Sequence, residues 1–139
     1  MNESVRFIDL FCGIGGIRLG MELQGFECVF SSDINPECQR TYEVNFGEKP
    51  FGDIALVDEK TVPDHEILCA GFPCQPFSIS GRQKGFGDAR GILFFEICRI
   101  LREKKPPVVF LENVKHLVHH DHGKTLSTII ANLEDLGYS

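Results

Sequence analysis

Hydrophobic and polar positions along this chain follow two alternating periods. "VRFIDLF" (5–11), "FECVFSS" (26–32), "EILCAGF" (66–72) and "VVFLENV" (108–114) are short, nearly continuous apolar runs, and they predict strands. Between them the apolar positions recur at helical spacing. Ile17, Leu19/Gly20 and Leu23 predict a short helix closed by Gly25. "NPECQRTYEVNFG" predicts a second, with Asn35 as N-cap, Pro36 at the first helical position and Gly47 past the end. Leu93, Phe94, Ile97, Ile100 and Leu101 fall on one face of a third, which must stop before Pro106–Pro107. Leu126, Ile129, Ile130, Leu133 and Leu136 form the stripe of a fourth, which ends at Gly137.

Strands that are apolar on both faces and alternate with helices predict an α/β fold, a mostly parallel sheet covered by helices. Ligands of such sheets bind outside the carboxyl ends of the strands. "CGIGG", "SSDIN", "FPCQP" and "ENV" each follow a strand and are expected to share one crevice. There is no repeat, low-complexity linker or composition break, so residues 1–139 read as one domain.

Composition narrows the class. A hydrophobic share of 42% suits a globular core, and no apolar run approaches the roughly 18 residues of a membrane span. The N-terminus carries Glu3 and too short an apolar part for a signal peptide, so a cytoplasmic protein is expected. A net charge of −6 argues against a wholly basic, nucleic-acid-coating surface, but leaves room for a local patch or a partner. The six cysteines form no C-x-x-C pair and read mostly as reduced, buried thiols; disulfides and a metal site built on His116, His119, His120 and His122 are both disfavoured.

The candidate chemistry lies at the strand ends. Gly13, Gly15 and Gly16 allow close backbone approach to a ligand, but the dinucleotide fingerprint would need glycine where Arg18 stands. Asp33, ending the second strand, is placed to hold ribose hydroxyls, or is a surface aspartate beside a tight turn. Asp53 in "GDIA" reads, alone, as a solvated turn residue. Cys74 follows a buried strand between Pro73 and Pro76, which stiffen its mount as a nucleophile's would be. Residues 75–91 carry Gly81, Gly85, Gly87 and Gly91 with Arg82, Lys84 and Arg90 against Asp88: a lid for a polyanion, or an ordinary surface loop. Glu112 and Asn113 leave the fourth strand, where a carboxylate needs solvent or a partner; beside Cys74 it becomes an acid/base group.

In order and spacing, "FIDLFCGIGG", "GFPCQPFS" and "ENVK" resemble the cytosine-5 DNA methyltransferases of bacterial restriction–modification systems, with several further stretches closest to the GCGC-methylating members. The resemblance runs through the whole chain and implies a Rossmann-like S-adenosylmethionine-dependent fold, here its N-terminal part. It implies that Phe11 and the Gly13–Gly16 backbone cradle S-adenosylmethionine, Asp33 holds the ribose, Ile34 packs on adenine and Asp53 bonds the adenine amino group. Ile54, Pro73 and Leu93 complete that set. Ile34 departs from the aromatic residue common in the family, and Asp33 from its commoner glutamate. The resemblance further implies that Cys74 attacks carbon 6 of a flipped cytosine while Glu112, with Asn113 beside it, stabilises the shifted charge. Gln75, Ser78, Ser80, Arg82, Lys84 and Arg90 would then meet double-stranded DNA.

The family continues with an arginine-bearing catalytic strand, a target-recognition region and a returning helix, none of which is in this sequence. A fragment or split subunit that needs a C-terminal complement is therefore expected, inactive alone. The alternatives are a non-catalytic binding or assembly module, pairing with itself through an open sheet edge, and an RNA cytosine-5 methyltransferase.

Overall fold

The computed structural model describes residues 3–73 and 91–139, with side chains from Leu93 onward in the second stretch. Four strands, β1 (Arg6–Leu10), β2 (Glu27–Ser32), β3 (Ile67–Ala70) and β4 (Val108–Leu111), form one sheet in the order β2-β1-β3-β4. Every pairing is parallel. The helices are α1 (Gly16–Glu22), α2 (Pro36–Phe46), α3 (Gly91–Lys104) and α4 (Lys124–Asp135). The α/β architecture expected from the apolar runs is the one observed.

Strand register sorts the side chains into two cores. Ile8, Leu10, Leu68 and Ala70 face one side, where Phe94, Ile97, Ile100 and Leu101 of α3 and Ile129 of α4 seal them. Phe7, Ile67 and Cys69 face the other, packed against Ile17 and Met21 of α1. Burying a side chain of this size contributes about 1.5–3 kcal/mol, so the α3 face is the main source of cohesion. The stripe expected on α1 is corrected here: Leu19 and Leu23 lie exposed, while Ile17, Met21 and the buried Arg18 face inward.

Local signals explain the helix ends. Asn35 Oδ1 accepts from the backbone N–H groups of Glu37 and Cys38, Pro36 opens the first turn, and Gly47 closes α2 at φ +73°. Gly137 likewise follows α4 at φ +95°. β4 stops at Leu111, shorter than the run 108–114 suggests, because the Asn113 side chain engages the backbone there. Between α2 and β3 the chain crosses the main core in two short 3-10 turns, Ile54–Leu56 and Glu59–Thr61.

Candidate active site

The topology supplies a crevice. From β1 the chain goes to β2 on one side, then returns to β3 on the other, so the order reverses at the carboxyl ends of β1 and β3. Open parallel sheets bind ligands at such a switch point. Phe11, Gly71 and Glu112 follow β1, β3 and β4 directly.

The first wall is the turn after β1. Phe11 takes φ +52°, a left-handed conformation that costs a non-glycine residue about 1 kcal/mol or more and is held by its surroundings. Gly13 follows at φ +54° and donates its N–H to Asp33 Oδ2 at 2.8 Å. Gly15 follows at φ +98°, donating its N–H to the Cys12 carbonyl at 2.9 Å. A Cβ built on Gly13 or Gly16 would meet nothing within 4 Å, so this backbone faces open space. Gly15 differs: its Cβ would lie 2.1 Å from Phe46 Cε2, so it is glycine for packing as well as conformation.

The second wall is the end of β2. Asp33 Oδ1 accepts from the Asn35 N–H and Oδ2 from Gly13, which fixes the carboxylate while each oxygen keeps a lone pair. Ile34 beside it is 70% exposed. Phe51 pins the segment after α2 to this wall: its N–H donates to the Ser31 carbonyl (2.8 Å) and its carbonyl accepts from the Asp33 N–H (3.0 Å). Asp53 follows that bridge by two residues, its Oδ1 accepting from the Ala55 N–H. Arg99 of α3 locks the following turn through the Ile54 and Val57 carbonyls. Ile54 itself is buried in the main core, so its side chain is a packing residue. Neither the Phe51 bridge nor the Arg99 anchor was anticipated. An arginine between Cys98 and Ile100, amid the apolar stripe of α3, was the available signal for the latter.

The third group follows β3 and β4. The Glu112 N–H donates to the Ala70 carbonyl at 3.0 Å, and the exposed Glu112 carboxylate lies over Gly71, whose added Cβ would meet Oε2 at 3.2 Å. Asn113 Nδ2 donates to the Phe72 carbonyl (3.0 Å) and its Oδ1 accepts from the Val114 N–H (2.8 Å). Both ends of this amide thus hold backbone, including the peptide leading into Pro73, which is exposed. Leu93 sits half-buried in the first turns of α3. Cys74, Gln75, Ser78, Ser80, Arg82, Lys84 and Arg90 lie outside the described residues.

The other thiols form a contrasting set. Cys12, Cys28, Cys38, Cys69 and Cys98 are free. Burial pushes Cys28 and Cys98 up to about 11 and Cys69 to about 12, and raises Cys12 still further. These are protonated, unreactive thiols near neutral pH. The four loop histidines sit in two 3-10 turns, Lys115–Val118 and His120–Gly123, or at their margins. His120 Nδ1 lies 2.7 Å from the Thr125 hydroxyl, and no metal-binding group occurs among the described residues.

One buried polar group belongs to no expectation. Asp9 of β1 is inaccessible to solvent; Tyr42 donates to its Oδ2 at 3.1 Å, and its Oδ1 has no hydrogen-bond partner among the described residues. Burial pushes this carboxyl up to about 7, against the opposing pull of the Tyr42 hydroxyl and the Arg18 charge. A charged residue within an apolar strand was the signal for it.

A family model described as C-5 cytosine-specific DNA methylase matches residues 5–139. The Type II methyltransferase M.HhaI of Haemophilus parahaemolyticus is 62% identical over 98% of this chain, and M.MspI of a Moraxella species is 58% identical over 99%. The chain spans 42% and 33% of the lengths of those relatives. Among solved structures, the S. pombe Dnmt2 methyltransferase superposes with a TM-score of 0.72 at 26% identity, covering 93% of this chain and 42% of its own. A putative DNA modification methyltransferase from an E. coli prophage shares the fold at a TM-score of 0.74 and 23% identity, over 95% of this chain and 38% of its own.

Proposed function

The chain belongs to the C-5 cytosine-specific DNA methylase family, and from that premise we propose that it is the cofactor- and nucleophile-bearing part of a DNA cytosine-5 methyltransferase. The observation that carries this reading is the convergence of the glycine turn, Asp33, Asp53 and Glu112 at one switch point of a parallel sheet. The residues fit S-adenosylmethionine. The Gly13 and Gly16 backbone borders open space, Asp33 is oriented with lone pairs left for ribose hydroxyls, and the exposed Ile34 offers an apolar surface for adenine. Asp53 lies on the same rim, where Ile54 can contribute backbone only. When bound, S-adenosylmethionine supplies an electrophilic methyl group.

This chain's own residues do the rest. The Cys74 thiolate adds to carbon 6 of the extruded cytosine, which makes carbon 5 nucleophilic towards the methyl group; once carbon 5 carries that methyl, its proton passes to a base, the Cys74–carbon 6 bond breaks and the thiolate leaves. Glu112 contacts the pyrimidine edge and offsets the charge that develops on the ring. Asn113 ties the Phe72 peptide to the end of β4, so that nucleophile and carboxylate share one frame. The likeness of "GFPCQPFS" to the family's nucleophile loop assigns this task to Cys74, while burial keeps Cys28, Cys69 and Cys98 protonated.

Activity belongs to a longer assembly, with the remaining length supplied in the same chain or by a second one. Among the described residues β4 is one edge of the sheet, Val108 and Phe110 are 48% and 45% exposed, and Val109, Leu111, Ile130 and Leu133 line an apolar groove between β4 and α4. Surfaces of this kind need covering. No helix among the described residues is long and apolar enough to cross a membrane, which suits a cytoplasmic enzyme acting on double-stranded DNA.

The test is transfer of a labelled methyl group from S-adenosylmethionine to cytosine in duplex DNA. The chain is assayed with and without the C-terminal part of a relative. Transfer that needs both parts and disappears in Glu112→Gln is expected. Transfer to RNA alone would move the assignment to an RNA enzyme, and transfer that survives Glu112→Gln would refute the assigned chemistry.

A further inference from the structure

Arg18 stands where a dinucleotide-binding turn would carry its third glycine, and its side chain is 95% removed from solvent. It is not a simple helix surface residue. Its guanidinium lies 4.6 Å from the ring centre of Phe46 and 5.4 Å from that of Tyr42. Nε donates to Glu22 (2.7 Å), and Nη1 donates to Glu48 (3.2 Å) and to the Tyr42 hydroxyl (3.4 Å). The Tyr42 hydroxyl in turn donates to the buried Asp9 carboxylate. Tyr42 and Phe46 pack ring against ring at 4.8 Å between centres.

These contacts close a circuit around the glycine turn. Asp9 lies on the strand that enters it, and Arg18 on the helix that leaves it. Tyr42, Asn45 and Phe46 lie along α2, where Asn45 Nδ2 also donates to the Ile14 carbonyl at 3.3 Å. Phe46 is pressed against Gly15 so closely that no side chain fits there, and the other end of α2 begins beside Asp33. A buried arginine held by two rings and three hydrogen bonds has few other positions open to it. Its effect is to set where Phe46, and hence Gly15 and the Gly13 N–H, can lie.

We infer that Arg18, Tyr42 and Asp9 are positioning residues for the glycine turn: through Phe46 they hold the Gly13–Gly15 backbone in register with Asp33. The inference rests on the proposed cofactor reading only for its consequence in binding. The brace itself is a property of the free protein.

The test measures amide hydrogen exchange at Gly13 and Gly15 in Tyr42→Phe and Arg18→Lys. Tyr42→Phe removes one oxygen and keeps the ring stack. Arg18→Lys keeps the charge without the planar fork. Protection at Gly13 and Gly15 is expected to fall roughly tenfold or more while Leu68 in β3 holds its protection, a local opening rather than global destabilisation. Val44→Ala, at an exposed site on α2, is the control that leaves both unchanged. Unchanged protection at Gly13 and Gly15, or a loss shared equally with Leu68, would overturn the inference. The dissociation constant for S-adenosylmethionine, measured by calorimetry with the C-terminal part present, is expected to rise roughly tenfold in Tyr42→Phe. Absence of binding by the parent alongside the local loss of protection would sink the proposed function and leave the brace standing.

Discussion

Replacing Asp9 with asparagine is expected to make the protein increasingly more stable than its parent as pH rises. Asp9 is solvent-inaccessible, one carboxylate oxygen has no partner among the described residues, and only Tyr42 and the Arg18 charge favour ionisation. The groups around it otherwise oppose ionisation or stay neutral: Asp33 at the end of β2, and the thiols of Cys12, Cys28 and Cys69. Burial dominates and moves its pKa from 3.8 to about 7. A carboxyl raised on folding contributes stability that is complete below the unfolded value and is lost as pH climbs through the folded one. At about 1.4 kcal/mol per unit, the loss is about 2 kcal/mol at pH 5 and about 4 kcal/mol at pH 8. Asparagine keeps the acceptor for Tyr42 and cannot ionise. The unfolding free energy of Asp9→Asn minus that of the parent, from urea titrations, is therefore expected to rise by about 2–3 kcal/mol between pH 5 and pH 8. Other titrating groups cancel in that difference. A difference constant within about 0.5 kcal/mol, or one growing towards acid, would refute the reasoning.

Gly15→Ala combines a side chain at φ +98° with a Cβ 2.1 Å from the Phe46 ring; it is expected to cost about 3 kcal/mol or more in urea unfolding, partly restored by Phe46→Leu. Asn35→Ala removes the acceptor of two helix N–H groups and is expected to cost about 1 kcal/mol, read by the same titration. Asn113→Ala frees the Phe72 carbonyl and is expected to slow methyl transfer in the complemented enzyme by roughly tenfold or more while leaving cofactor affinity nearly unchanged, since the side chain holds the peptide between Phe72 and Pro73, just ahead of the cysteine, and not the glycine turn.

What could be read from the sequence follows from the range of the forces involved. Strands and helix ends depend on neighbours within a few residues, so Asn35, Pro36 and Gly47 announced α2 and the apolar runs announced the sheet. The glycine turn and Asp33 were foreseeable for the same reason, each sitting where a strand ends. The brace was not, because Asp9, Arg18 and Tyr42 meet only once β1, α1 and α2 have packed, although a charge in a strand and an arginine in place of glycine both marked it. Leu19 and Leu23 misled because α1 is short and turns its Ile17 and Met21 face to the sheet. The burial of the Ile54 side chain was not legible because the segment after Asp53 crosses the main core, which no local pattern encodes.

The central claim is that Cys74 and Glu112 act together on a cytosine beside the glycine turn. The direct measurement mixes the chain, its C-terminal complement, S-adenosylmethionine and a duplex carrying 5-fluorocytosine, whose fluorine blocks release of the enzyme. The account predicts a covalent protein–DNA adduct that needs the cofactor and vanishes in Cys74→Ala. An adduct that persists in Cys74→Ala, or none with a complement that restores folding and DNA binding, would contradict it.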